Sequence, residues 1–524
     1  MDPKTLIPVR AAGAFSLLLA TASVGLAQVS FERVDQDLLK SVVYGGGWDY
    51  FVGGGVATFD CDEDGLPDLF AAGGEGPARL LHNVSAHGGQ IRFEVLSISE
   101  ILGATGAYPL DIDGDGTLDL VVLRHGENLI LKGEGACHFT PAPAEWGFDG
   151  GQEWTTAFSA TFERGQNWPT LAFGNYVDQT NPDGPFMACD KNYLIRPEGR
   201  SFGPRQTLAP GFCALSMLIS DWKRNGQPDL RIANDRQYYV RNGHEQMWHL
   251  DTLSEYTEAD GWPIMMLWGM GIGSRDLTGD GLPEVLITSM GDQMLMINDG
   301  DGQMHAAPYS IGTYATRPYL GDDGRPSTGW HAEFGDLNND GLDDLFISKG
   351  NVDQMPSNPI HDPNNLLIQK PDGTFEELGQ VTGVGTSDRS RGAALADLNA
   401  DGRLDIIVAN RRAPLEVWTN TTADAGNWLA INLHLEGANR RAVGAIVELR
   451  LEDGRVLTQE NTIGGGHVSG EALPLHFGLG ASNTAMIRVI WPDGDTSEWV
   501  EVAAGATIEV SPGPSGKLVI GGVE

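Results

Sequence analysis

Six nine-residue segments of this chain carry the side chains of a cation cage. They read DCDEDGLPD (60–68), DIDGDGTLD (111–119), DWKRNGQPD (221–229), DLTGDGLPE (276–284), DLNNDGLDD (336–344) and DLNADGRLD (397–405). Oxygen-bearing side chains recur at positions 1, 3 and 5, with a glycine at 6 and an acid at 9. That alternation turns several hard oxygens toward one point, which suits Ca²⁺. The glycine permits the sharp turn that returns the acid at position 9 to the same ion. Four loops hold a full set: Asp60, Asp62, Asp64 and Asp68; Asp111, Asp113, Asp115 and Asp119; Asp336, Asn338, Asp340 and Asp344; Asp397, Asn399, Asp401 and Asp405. Asp276, Thr278, Asp280 and Glu284 form a weaker set, because Thr offers a neutral oxygen and Glu is longer. The main-chain carbonyl at position 7 (Leu66, Thr117, Leu282, Leu342, Arg403) is expected to add a ligand. In the remaining loop Lys223 stands where a ligand should be. Its ammonium is expected to replace the ion and pair with Asp221 and Asp229. The expectation is about four or five structural Ca²⁺ ions.

The first six positions also fit an EF-hand, which requires a bidentate Glu at position 12 and a helix after it. Position 12 is Ala71, Val122, Ile287, Ile347 or Val408 in the five better loops. None can hold a metal. The segments that follow (DLFAAG, DLVVLR, EVLITS, DLFISK, DIIVAN) are short, apolar and β-branched, so each loop joins two strands.

The loops start 51, 110, 55, 60 and 61 residues apart. The gap of 110 is twice 55, so a copy without ligands is expected over residues 155–173. Seven frames of this period fit a propeller or solenoid. Each frame runs in one order: a small-residue strand, the acidic loop, an apolar strand, a strand often written N-x-L-x-x, and a strand opening near Phe93, Phe139, Phe202 or Phe375. Four antiparallel strands make one propeller blade. The last frame lacks its Phe-led strand, and the N-terminal VSFERVD (29–35) resembles one. The N-terminus is therefore expected to complete the last blade and close the ring, which removes open sheet edges.

These repeats resemble the FG-GAP/VCBS repeats of integrin α-like propellers. The segments VGAIV (443–447), IGGGHVSG (463–470), LHFGLG (475–480) and VIWPDG (489–494) resemble the ASPIC/UnbV domain of cartilage acidic protein-like chains. The implied architecture is all-β: a seven-bladed β-propeller over 29–422, then a small sandwich- or barrel-like β domain over 427–513 and a tail over 514–524. The resemblance specifies fold far better than function, since propellers host many functions.

Residues 1–27 read as a signal peptide, with Lys4 and Arg10 before an apolar run and a small-x-small site at Gly25 and Ala27. No later stretch is long and apolar enough for a membrane-spanning helix. The expected destination is periplasmic or extracellular. There the four cysteines (Cys61, Cys137, Cys189, Cys213) can form disulfides, Cys189 with Cys213 being the more plausible pair. The net charge of −37, from 71 acids against 34 bases, disfavours nucleic acid and anionic lipid as partners.

No nucleophile elbow, zincin motif, phosphate loop or C-x-x-C is present, and no catalytic residue is assigned. His331 and His467 lack partners in sequence, which favours a structural or surface role. Trp154, Trp168, Trp248, Trp262, Trp268 and Trp330 fit core packing better than sugar stacking. The functional expectation is a secreted calcium-binding module for an extracellular carbohydrate or protein ligand. The alternative is a secreted polysaccharide lyase or hydrolase, betrayed by a tight Tyr/His/Arg or paired-acid cluster at the channel mouth, apart from the calcium loops.

Overall fold

A computed structural model describes residues 29–182, 188–235, 241–314, 328–352 and 360–522. The expected signal peptide lies outside them. Among the described residues seven sheets cover the N-terminal three quarters of the chain, each built on four antiparallel strands in simple chain order from inside to outside, apart from the seventh, and the first gains a fifth, parallel strand on its inner edge. Their first strands are Val56–Phe59, Ala104–Leu110, Thr155–Thr161, Ala214–Ser220, Gly269–Arg275, Gly329–Gly335 and Ser390–Ala396, here numbered sheets one to seven. Each first strand packs against the first strand of the next sheet, and that of sheet seven packs against that of sheet one. The ring is thus a closed propeller. Ala, Gly, Ser and Thr dominate these strands because backbones converge there and long side chains have no room.

The seventh sheet takes its fourth strand from the other end of the chain. Phe31–Arg33 runs antiparallel to Glu416–Asn420, with Phe31 opposite Asn420. The ligand-free third frame forms Thr155–Thr161 and Thr170–Asn175, paired as in the others. The Phe-led strands begin at Phe93, Phe139, Phe202 and Phe375.

The C-terminal region packs two four-stranded sheets face to face over one apolar core. One sheet runs Leu475–Gly480, Asn427–Leu433, Ala506–Pro512, Leu518–Gly522; the other runs Val456–Glu460, Ile446–Leu451, Thr484–Ile490, Val500–Ala503. Val510 faces Ile520 in the first sheet, so the sheet continues past residue 513 into the expected tail. The consecutive Leu518, Val519 and Ile520 supply the reason, since an extended apolar segment beside an open edge gains main-chain bonds by joining it.

The turn between these two sheets enters the propeller. Ile463 bridges Ala160, Gly464 bridges Leu218, Gly466 bridges Ile272 and Ser469 bridges Ala107, on sheets three, four, five and two. Glu471 and Ala472 add a short parallel strand to Thr58 and Phe59 of sheet one. The His467 N–H donates to His331 Nδ1 of sheet six at 3.0 Å. Gly392 of sheet seven lies against the Ser469 side chain. A segment that touches the first strands of all seven sheets lies on the axis of the ring. It fills the channel with backbone, because the channel walls lack side chains at key points. A Cβ on Gly55 or Gly106 would overlap the Val468 carbonyl.

Gly106→Ala tests this directly, because Gly106 is not in a left-handed conformation and the substitution acts through the overlap. Expelling or straining the inserted turn should cost about 2 kcal/mol, within the usual range for overpacking. Denaturant unfolding of the calcium-loaded protein measures it. An unchanged midpoint would place the turn outside the channel in solution.

Candidate metal centres and an interdomain cavity

The acidic loops share one internal wiring, and it follows from the residue type at each position. The carboxylate at position 1 accepts backbone N–H groups from positions 4 to 6: Asp60 from Glu63 and Gly65, Asp111 from Gly114 and Gly116, Asp336 from Asp340 and Gly341, Asp397 from Asp401 and Gly402. The side chain at position 5 accepts the N–H of position 7, as Asp64 does from Leu66 and Asp280 from Leu282. The acid at position 9 spans two strands. One oxygen holds the N–H of position 2 and the other holds an N–H on the third strand of the sheet. Asp119 takes Ile112 and Gly133, Asp344 takes Leu337 and Gln369, and Asp405 takes Leu398 and Asn420. The position-9 acids are buried in all five better loops. Each is therefore a clamp between loop and sheet as well as an oxygen donor.

The donor set fits a hard cation. Ligand oxygens of Asp60, Asp62 and Asp64, and those of Asp111, Asp113 and Asp115, converge within 4.8 Å of one another. Burial, with repulsion among neighbouring carboxylates, pushes Asp111 and Asp397 up to about 6 and Asp119 and Glu284 to about 7. Asp336, Asp344 and Asp405 are raised well above the ordinary carboxylate range by the same causes. Carboxylates this crowded need a proton or a cation.

Side chains from the third strands also reach these loops. Lys132 pairs with Asp113, and with Asp115 at 2.7 Å. His82 Nδ1 meets Asp68 at 3.0 Å, with Nε2 3.8 Å from Asp62. Lys223 pairs with Asp229 at 3.1 Å and meets the Tyr256 hydroxyl. Asp221 instead accepts the Asn225 and Gly226 N–H groups. The expected double pairing of Lys223 thus reduces to one partner, since Tyr256 and Asp229 draw its ammonium to one side. Lys132 and His82 were absent from the expected ligand region. Their signal is positional: each precedes a residue whose N–H the position-9 acid holds, Gly133 and Asn83.

Both disulfides tie neighbouring sheets. Cys61 in the first acidic loop bonds Cys137 of sheet two, and Cys189 bonds Cys213 at the entry to sheet four. Trp154, Trp168, Trp248, Trp262 and Trp330 are buried and Trp268 is half-buried, so these rings pack the core.

A second constellation lies where the C-terminal domain meets the channel. A cavity of about 240 Å³ is walled by the first strands of sheets five, six and seven and by residues 458–476. The His467 N–H donates to His331 Nδ1, so Nε2 carries the proton and donates to Glu333 Oε2 at 3.0 Å. Burial lowers His331 to about 4, which keeps it neutral. Glu333 Oε1 accepts the Leu395 N–H at 3.0 Å. Glu333 is half-buried and Glu471 is exposed to the cavity, and desolvation there pushes their carboxyls up to about 7 and about 8. Glu471 faces the solvent of the cavity although it lies deep between the domains. The sequence singled out His331 but not its partners, which come from sheet six and from the other domain.

The FG-GAP-like repeat model matches residues 60–122, 276–347 and 336–408. The fold and loops described above are those of an FG-GAP-repeat propeller. The ASPIC and UnbV model matches residues 435–517, and the chain carries such a domain after its propeller. Cartilage acidic protein 1 of Mus musculus is 28% identical over 134 residues, covering 24% of this chain and 19% of the relative. The human and Xenopus tropicalis proteins of that name give the same figures, so the match spans about a fifth of the length of these relatives. Among solved structures, BBS1N in complex with ARL6DN covers 76% of this chain and 99% of its own, at 10% identity and a TM-score of 0.43. An Agrocybe aegerita lectin specific for non-reducing terminal N-acetylglucosamine covers 71% and 94%, at 17% identity and a TM-score of 0.41.

Two outcomes follow from the loops. Carboxylates raised by folding bind more protons in the native state than in the unfolded one between about pH 4 and pH 7, so stability falls as pH rises through that window. In chelator, the melting temperature should be higher near pH 5 than near pH 7.5, and excess Ca²⁺ should abolish the difference. Lys132→Met should tighten Ca²⁺ binding at the second loop by about tenfold, the loss of one competing charge, as read by calorimetry.

Proposed function

We propose that this protein is an exported, calcium-rigidified propeller that presents its surface to an extracellular carbohydrate or protein ligand. The observation that carries the reading is the common wiring of the acidic loops. Each loop is clamped between two strands of a single sheet, so filling it stiffens a turn and opens no groove. A ring stiffened at several turns and filled on its axis is a rigid platform, which lowers the ordering cost of binding. The two disulfides support an oxidising compartment. Among the described residues no helix is long and apolar enough to cross a membrane.

The enzyme reading has one observation in its favour, the His331–Glu333–Glu471 cluster beside a cavity. At about 240 Å³ that cavity is smaller than the roughly 300–1,000 Å³ of drug-sized ligand pockets, so it could take no more than one end of a polymer.

Metal analysis should find about four or five Ca²⁺ per chain, and chelation should lower the melting temperature by many degrees. A glycan and polysaccharide array probed with the calcium-loaded protein should show retention without depolymerisation. Chain shortening would transfer the assignment to the enzyme reading. No metal and no change on chelation would remove the calcium scheme.

A further inference from the structure

The C-terminal domain rests on the face of the ring that carries the acidic loops, and it does not cover them evenly. In the loops of sheets one, two and five the mid-loop residues are open to solvent: Asp64 and Gly65, Asp115 and Gly116, Gly279 and Asp280. In the loop of sheet six Asp336 is buried, and Asn338 and Asn339 are 0% and 1% exposed. The C-terminal domain covers this loop by gripping its main chain. Arg455 donates to the carbonyls of Gly341 and Asp340, at 2.9 and 3.2 Å. The N–H groups of Gly426 and Gly480 donate to the carbonyls of Asn338 and Asn339, at 2.9 and 2.8 Å. These four carbonyls belong to loop positions 3 to 6, the turn that a cation would order. Asn339 extends the contact to the next loop. Its Nδ2 donates to the Gly402 carbonyl of sheet seven at 2.8 Å, and its Oδ1 accepts the His476 Nε2–H at 2.9 Å. Gly402 also lies against the Trp428 ring of the C-terminal domain. In that seventh-sheet loop Asn399 holds ligand position 3 and is 2% exposed. Its Nδ2 donates to the Gly89 carbonyl and to Asp401 Oδ2, while its Oδ1 is buried with no donor among the described residues. A buried amide oxygen left unpaired is costly, and a cation in the loop would satisfy it.

We propose, resting on the calcium reading above, that the C-terminal domain seals the cations of the sheet-six and sheet-seven loops, which exchange only when the domain lifts from that side of the ring. An ion whose path to solvent is closed leaves at the rate of the local opening. Ion and docked domain then stabilise one another. An ordered loop presents the carbonyls that Arg455, Gly426 and Gly480 need, and docking holds the same loop in shape for the ion. Opening is confined to one side, because the other anchors of the domain need no ion. Its turn occupies the channel, and at the sheet-four loop, where Lys223 stands in place of a ligand, Arg224 donates to Glu448 and Glu460 accepts the Asp221 N–H. The chain therefore carries two classes of ion, freely exchanging in sheets one, two and five and sealed in sheets six and seven.

The test is stopped-flow mixing of the calcium-loaded full chain with an excess of a fluorescent calcium chelator. The expected result is a fast phase and a slow phase, the slow one about tenfold or more slower and amounting to about two ions per chain. Arg455→Met removes two hydrogen bonds from the seal and no ligand. It should speed the slow phase by about tenfold and leave the fast phase unchanged. Should Arg455→Met fail to fold, His476→Ala is judged by the same readout. Hydrogen exchange reports the docking itself: in chelator, protection of the Gly426 and Gly480 amides should fall, while the Gly466 amide on the axis stays protected. Release of all the calcium in one fast phase overturns the proposal and leaves the calcium reading standing. A slow phase that neither variant alters also overturns it, as does unchanged protection at Gly426 and Gly480. A chain that binds no calcium overturns both.

Discussion

Seven strands converge on one axis, and at Gly55 and Gly106 the space left there admits only backbone. That constraint shapes the rest of the molecule. It selects Gly, Ala and Ser on the first strands, and it lets a glycine-rich turn of the following domain pass between them. Gly55 and Gly106 sit where any Cβ would overlap the Val468 carbonyl. The channel is filled, and the two domains share a surface built from main-chain contacts. Such contacts are directional and costly to leave unmade once buried. The C-terminal domain therefore acts as a keystone of the ring.

Away from the axis, the position-9 carboxylates do comparable work. Each binds a loop N–H with one oxygen and a third-strand N–H with the other. The loop and the sheet are thereby ordered together. The arrangement also crowds negative charge, which burial makes worse. A divalent cation would offset that charge without disturbing the clamps, because each oxygen keeps a second lone pair. The crowding of carboxylates that a hard cation would offset and the registry of the sheet are two aspects of one hydrogen-bond scheme.

The interdomain cavity follows from the same insertion. The turn that fills the channel carries Glu471 to the wall of the cavity that Glu333 also lines. His331 is held in one tautomer by the N–H of His467, a residue 136 positions away. It is buried with both ring nitrogens hydrogen-bonded, as a structural histidine is.

Repeat period, strand order, ring closure by residues near Phe31 and the recurring oxygen-bearing side chains of the acidic loops were all legible in the chain. Each rests on local periodicity and on residue types a few positions apart. Lys132 and His82 were legible in principle, since strand alternation places them beside the loops, but nothing local says that they reach in. The tertiary structure alone decided that 463–472 fills the channel, that 518–522 joins a sheet, and that Glu333, Glu471 and His331 line one cavity. These depend on contacts between segments more than a hundred residues apart or on which edge lies open. A sequence records what each segment prefers, and only the folded chain settles which segments are brought together.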